Sequence, residues 1–210
     1  MTRRVLNAFL LAGISTAGGG TSRWTGCGRH HASGTVLADD VLKTCPRLKP
    51  AKGVALRVRS KVLQLQPPPL KDCDVERVNA LVKQLEVGKK VKFTDTVFVY
   101  RVLDTAARKG KPLDAEVQVI ALGNDIAWVG LPGEIFTELG MAIKQGSPFP
   151  MTIIAQLAHG PVTYYPNEAA AAQGNYEVVA SGVAAGSGER LVEAAKQLLT
   201  ELHSRSTGKP

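Results

Sequence analysis

The stretch that decides the fold is residues 115–145, AEVQVIALGNDIAWVGLPGEIFTELGMAIKQ. Residues 115–122 alternate apolar and other side chains, a Gly-Asn-Asp turn follows at 123–125, and the apolar run 126–131 leads the chain back. This order predicts a β-hairpin. The segment 135–145 then places apolar residues at helical spacing and ends before a glycine, which predicts a helix.

The segments on either side extend this pattern. Residues 74–87, 96–109 and 189–203 have helical spacing of apolar side chains, and residues 151–158 form a short apolar run typical of a buried strand. The sequence therefore predicts an α/β fold with a mixed sheet and flanking helices.

A further strand is predicted over residues 54–62, where apolar and basic residues alternate. The alternation predicts that the apolar residues face the core and that Arg57, Arg59 and Lys61 face solvent. Three consecutive prolines at 67–69 end this segment.

The composition is that of a globular protein of 210 residues, with 44% hydrophobic residues and a net charge of +8. Residues 1–60 carry ten Lys/Arg against two acids, whereas the other 150 residues carry sixteen of each. No basic helix is interleaved with aromatic residues, so a nucleic-acid partner is not predicted. No apolar run is long enough to predict a transmembrane segment.

The N-terminal region, residues 1–33, is predicted to be irregular or signal-like. Two arginines precede a short apolar stretch that ends in small residues, which is the order of a secretory signal. A working signal implies a secreted or periplasmic protein, and otherwise the protein is cytoplasmic. The alternative is an arbitrary start inside a longer gene. A helix over 36–44 opens the predicted domain, residues 34–203, and residues 204–210 are predicted to be a disordered tail.

Several short motifs do not support a site. Cys27, His30 and His31 supply half of a zinc ligand set at best. The glycines at 182, 186 and 188 have neither the spacing nor the downstream acid of a dinucleotide-binding turn. No GxSxG elbow is present, and the three cysteines do not describe a disulfide framework.

Two features remain as candidates for chemistry. Glu134 follows a Pro-Gly pair between a strand and a helix, where it either suits the helix N-terminus or belongs to a site. Tyr164 and Tyr165 precede a proline in a loop after a predicted strand, and tyrosine can pack its ring while presenting its oxygen.

Both features lie in segments that resemble the neutral/alkaline, non-lysosomal ceramidase family. The segments are LPGEIFTELG, which contains the Pro-Gly-Glu motif, and AHGPVTYYPNEAAAAQGNYEV. The resemblance runs from about Gly34 to Leu202, is densest over 117–178, and is closest to shorter bacterial proteins of that family.

The resemblance implies a zinc-dependent amide hydrolase acting on an N-acylated lipid or another amide. In that family two histidines, a glutamate and a tyrosine hold one zinc ion. The resemblance places Glu134 on the glutamate ligand and Tyr164 on the tyrosine ligand. It also makes His159 and Tyr165 candidates for a substitute ligand or for lining the site.

The sequence also differs from the family pattern at positions that matter for activity. Its two histidine ligands belong to segments upstream of this chain, its nucleophilic serine has no counterpart at 25–28, and its asparagine is replaced by His159. Residues 34–203 are therefore expected to be the C-terminal half of a catalytic domain. This half is expected to be inactive without the N-terminal half and to expose apolar faces.

Two alternatives stay open. One is a secreted small α/β binding or interaction domain without catalysis. The other is a complete small metallohydrolase that recruits His30, His31 or His159 as ligands.

Overall fold

The computed structural model describes residues 27–48, 55–160 and 162–207, and the chain divides into two compact units between residues 50 and 51. Residues 1–26, which contain most of the predicted irregular or signal-like segment 1–33, lie outside the described residues, as do residues 208–210. The predicted domain over 34–203 spans the division, and its being half of a larger domain stays a prediction.

The predicted helices and strands are present in the predicted order, together with two short strands and two short helices that were not predicted. The helices are α1 (Cys27–Thr44), α2 (Asp72–Glu86), α3 (Phe93–Arg108), α4 (Thr137–Gln145), α5 (Glu168–Ala171), α6 (Tyr176–Ala180) and α7 (Ser187–Thr207). The strands are β1 (Leu56–Leu65), β2 (Leu113–Leu122), β3 (Ile126–Gly130), β4 (Glu134–Ile135), β5 (Met151–Ala155) and β6 (Tyr164–Tyr165). The predicted α/β class is confirmed.

In the first unit the described residues form α1 and a short 3-10 turn, Cys45–Arg47, that contains the helix-ending Pro46. The predicted helix over 36–44 is present, but it begins earlier, at Cys27, so residues 27–33 are helical rather than irregular. At the other end, α7 continues to Thr207, past the predicted start of the tail at residue 204.

A four-stranded sheet organises the second unit, with strand order β1-β2-β3-β5. The first three strands are antiparallel, and the predicted β2–β3 hairpin is confirmed by the pairing of Leu122 with Ile126. β5 pairs parallel with β3 because α4 carries the chain back across the sheet.

One face of the sheet packs against α4 and α7. Alternate residues of β2 and β3 are fully buried there, including Val117, Val119 and Val129. They meet Ile143 of α4 and Leu199 of α7, both 0% exposed. This layer is the main core, and a smaller cluster joins α2 and α3 through Val78, Phe98 and Val102 among others.

The orientation of β1 is the reverse of the prediction. Arg57 turns toward the helical layer and donates to the carbonyl oxygens of Leu202 and Gly123, and Lys61 donates to Gln197 of α7. Leu56 and Val58 are instead 65% and 42% exposed. The basic residues can face the helix because their ends reach helix and turn oxygens at its border while their stems cover apolar surface.

One end of the second face of the sheet carries a partly exposed apolar patch. Two rows run across all four strands, and each row consists of residues paired in register: Leu56, Leu122, Ile126 and Met151, then Val58, Ile120, Trp128 and Ile153. The prediction that β5 is a buried strand is wrong, since Met151 and Ile153 are 54% and 37% exposed. β5 lies at the edge of the sheet, and only the side facing α4 is partly covered.

No helix among the described residues is long and apolar enough to cross a membrane.

Candidate functional site

A two-residue parallel ladder brings the two predicted ligands together. β4 pairs with β6 so that Glu134 lies opposite Tyr164 and Ile135 lies opposite Tyr165. The Glu134 amide donates to the Thr163 carbonyl at 2.8 Å, and the Ile135 amide donates to the side chain of Gln156 at 2.7 Å. Glu134 was predicted to lie at a helix N-terminus, but α4 begins only at Thr137, so a strand holds the carboxylate.

Gly133 makes this ladder possible. Its φ is +60°, and a Cβ added there would lie 2.2 Å from the carbonyl oxygen of Thr163 and 2.7 Å from the ring of Tyr165. Only glycine leaves room for the 163–165 segment to cross so close. The Pro-Gly pair that precedes Glu134 therefore has a structural reason.

The side chains of Glu134 and Tyr164 interact directly. Glu134 is exposed and Tyr164 is half-buried. Partial burial and the neighbouring carboxylate of Glu134 raise the pKa of Tyr164. The phenol of Tyr164 is therefore harder to ionise here than in water.

Glu134 and Tyr164 both line a cavity of about 420 Å³ whose charged lining residues are all acidic. Glu138 and Glu177 join Glu134 in it, together with Gln156, and none of its lining residues is Lys, Arg or His. Three carboxylates without a cation among the lining residues favour a positively charged occupant.

Sequence reasoning did not single out Glu138, Glu177 or Gln156. Glu138 lies in the first turn of α4, one helical position among many, and Gln156 follows an edge strand. Glu177 sits in the Tyr-Glu pair that ends the second resembling segment, which is the one signal that could have pointed to it.

Aromatic rings support Tyr164 from one side. The ring of Tyr176 meets it edge-on, with centroids 5.8 Å apart, and Phe93 of α3 stacks on Tyr176 at 5.9 Å. Such contacts restrict the rotation of Tyr164 and fix the direction of its oxygen.

Tyr165 does not line the site, contrary to the prediction. Successive residues of a strand point to opposite faces, so Tyr165 turns away from Tyr164 into the main core and is 0% exposed. Its buried hydroxyl has no hydrogen-bond partner among the described residues, and burial raises the pKa of Tyr165 to about 12.

Tyr165→Phe is expected to leave stability unchanged or raise it by up to about 1 kcal/mol at pH 7, because it removes a buried hydroxyl that lacks a partner. The wild-type chain should lose stability from pH 10 to 12, since the unfolded state ionises first near the ordinary pKa of 10. Urea unfolding of both chains across this range should show a gap that widens with pH. Tyr100→Phe, at a side chain 71% exposed, is the control and should show no such gap.

His159 lies apart from the acidic cavity. The position that a Cβ would take at Gly130 is 2.8 Å from the Cε1 atom of His159, so the ring packs against the end of β3. Its Nε2 atom is buried without a hydrogen-bond partner among the described residues. His159 is not among the residues that line the cavity of Glu134 and Tyr164.

The cavity offers the types of oxygen atom that bind metal ions, but too few of them for a complete site. Glu134 and Tyr164 offer a carboxylate and a phenol oxygen side by side, both of which bind zinc once deprotonated. The described residues contain no group of three or more His, Cys, Asp or Glu side chains placed to hold a metal ion. Cys27, His30 and His31 have helical backbone in the other unit.

Comparison with known proteins finds similarity to a solved structure but not to a family model or a curated protein. No protein-family model matches the chain, and no curated protein matches it. Among solved structures, neutral ceramidase from Pseudomonas aeruginosa is similar, with 13% sequence identity and a TM-score of 0.45 over 74% of this chain and 29% of that chain. The chain thus spans less than a third of the length of that protein. At this level of similarity the match carries no argument about the site.

Proposed function

We propose that this chain is part of a zinc-dependent amide hydrolase and supplies Glu134 and Tyr164 as two of the metal ligands. The substrate would be an N-acylated lipid or another amide, as the resemblance of the two sequence segments implies. The other ligands would come from outside the described residues, so the chain alone is expected to be inactive.

The observation that carries this proposal is the pairing of Glu134 with Tyr164 across β4 and β6. The two residues are distant in sequence, yet they lie opposite each other and both line an acidic cavity. Zinc bound there would act as a Lewis acid on the amide carbonyl. Glu134 and Tyr164 would hold the ion, and Gln156, by accepting from the amide beside Glu134, would keep the carboxylate strand in place.

Zinc titration of the full chain tests the proposal through Tyr164. Coordination should ionise a phenol whose pKa is otherwise raised, so zinc should produce tyrosinate absorption in the near ultraviolet near neutral pH. Tyr164→Phe should abolish this signal. Glu134→Gln should weaken zinc binding by roughly tenfold or more, the scale seen when metal sites lose supporting groups.

Two control variants separate coordination from other effects. Tyr100→Phe changes an exposed tyrosine of α3 and should keep the zinc-dependent signal. Glu116→Gln changes a carboxylate on β2 outside the cavity and should leave the affinity for zinc unchanged. Because two ligands alone hold zinc weakly, the titration extends to millimolar zinc. The proposal is wrong if the tyrosinate signal persists in Tyr164→Phe, or if Glu134→Gln binds zinc as tightly as the wild-type chain.

A further inference from the structure

A second cavity, of about 290 Å³, lies beside α3 and is lined by residues different from those of the acidic cavity. Val97, Arg101, Asp104 and Arg108 follow one another at three- or four-residue steps along α3 and form one wall. Leu113 and Val162 contribute apolar surface to the cavity. It therefore combines apolar walls with a strip of charged side chains.

Arg101 differs from the arginines around it. Arg108 pairs with Asp104 at 2.7 Å, and Arg77 pairs with Asp95 at 2.6 Å. Arg101 has no such carboxylate partner: Asp74 is near enough to attract it, but the guanidinium makes no hydrogen bond to a described residue. Its Nε atom is buried, and its guanidinium carbon lies 5.1 Å from the centroid of the Phe98 ring.

An incompletely paired arginine in a half-buried position is costly, because desolvation is not repaid by hydrogen bonds. Burial accordingly lowers the pKa of Arg101, although arginine remains charged in proteins. Its donors are arranged as a planar fork that matches the oxygens of a carboxylate or a phosphate. An anion in the cavity would accept from the terminal nitrogens of the guanidinium, whereas the Nε atom is buried away from solvent.

We propose that Arg101 binds the carboxylate or phosphate group of a small organic anion in this cavity. The apolar part of the ligand would contact Val97, Leu113 and Val162. A volume of about 290 Å³ is at the lower end of the range for ligand pockets, so the ligand is small. The site is independent of the proposed metal ligands and does not depend on the proposed function.

Calorimetric titration of the full chain with hexanoate, inorganic phosphate and neutral hexanol tests this proposal. Hexanoate or phosphate should bind in the millimolar range or tighter, and whichever binds more tightly identifies the anionic group. Hexanol should bind at least several-fold more weakly than hexanoate. Arg101→Gln should reduce anion binding by about tenfold or more, the scale of a lost charged hydrogen bond.

Two further variants make the result specific. Arg101→Lys keeps the charge but lacks the fork, so it should bind the anion more weakly than the wild-type chain and more tightly than Arg101→Gln. Arg77→Gln removes the other cation over Phe98, which lies outside the cavity lining, and should leave anion binding unchanged. Thermal unfolding of Arg101→Gln should show a midpoint equal to or above that of the wild-type chain, because the variant loses a costly cation.

The proposal is overturned if neither anion binds, if Arg101→Gln binds the anion as tightly as the wild-type chain, or if hexanol binds as tightly as hexanoate. The last result would describe an apolar cavity without an anion site.

Discussion

Gly133→Ala should lower the free energy of unfolding by about 3 kcal/mol or more. The loss is expected because alanine disfavours the left-handed backbone at this position and because its methyl group would be overpacked. The new methyl group would be placed 2.2 Å from the Thr163 carbonyl oxygen, so β6 would have to move away from β4. Thermal unfolding should show a midpoint lower by roughly 6–12 °C for a chain of this size. The same variant should lose the zinc-dependent signal of Tyr164, because the ladder that aligns the two ligands is disrupted.

Gly88→Ala is the matched control for this prediction. Gly88 also has a positive φ, +71°, but nothing lies within 4 Å of the position that its Cβ would take. Its cost should be limited to the backbone term of about 1–2 kcal/mol. Equal losses for the two variants would mean that the crossing of 163–165 over Gly133 is not as close as the structure has it.

Arg57→Met should lower the free energy of unfolding by about 2 kcal/mol, since charged hydrogen bonds of this kind contribute about 1.5–3 kcal/mol. Methionine keeps an aliphatic stem but loses the donors that Arg57 presents to Leu202, at 2.6 Å, and to Gly123, at 2.5 Å. These bonds tie β1 to the last helix and to the β2–β3 turn. Chemical unfolding in urea measures the loss.

Arg59→Met provides the comparison on the same strand. The one hydrogen bond from the side chain of Arg59 in the described structure goes to the adjacent Val58 carbonyl at 3.2 Å. This substitution should change the free energy of unfolding by no more than about 0.5 kcal/mol. If Arg59→Met costs as much as Arg57→Met, the hydrogen bonds of Arg57 to Leu202 and Gly123 do not account for the loss.

The sequence predicted the hairpin well because local signals agree there. Alternation in 115–122, a three-residue turn and a returning apolar run all favour the same pairing, and the structure has that pairing. The helices are also present, because their apolar spacing is long and regular. Their ends differ by a few residues, as at α4, where Ile135 belongs to a strand instead.

The orientation of β1 could not be predicted from its alternation. The alternation shows that β1 is a strand with one apolar and one basic side, but it does not show which side packs against the helices. That choice depends on whether the ends of Arg57 and Lys61 find oxygens on α7 and in the turn, which are residues more than sixty positions away.

The sequence pointed to two residues of the candidate site but not to its geometry. The resemblance singled out Glu134 and Tyr164, and the structure places them opposite each other, whereas their role as metal ligands stays a prediction. The sequence alone could not show which of Tyr164 and Tyr165 faces the cavity, because the two are adjacent in the same motif. The pairing of β6 with β4 decides this. Nothing in the sequence pointed to Arg101, because the sequence does not show which arginines lack a carboxylate partner in the folded chain.

The partly exposed apolar rows of the sheet also affect how stability depends on temperature. Leu56, Val58, Met151 and Ile153 already contact water in the folded chain. Unfolding therefore adds less newly hydrated apolar surface at these positions, and such surface is the main source of the heat-capacity change. The second unit should have a heat capacity of unfolding below the average for its length, and its stability curve should be correspondingly broad and flat.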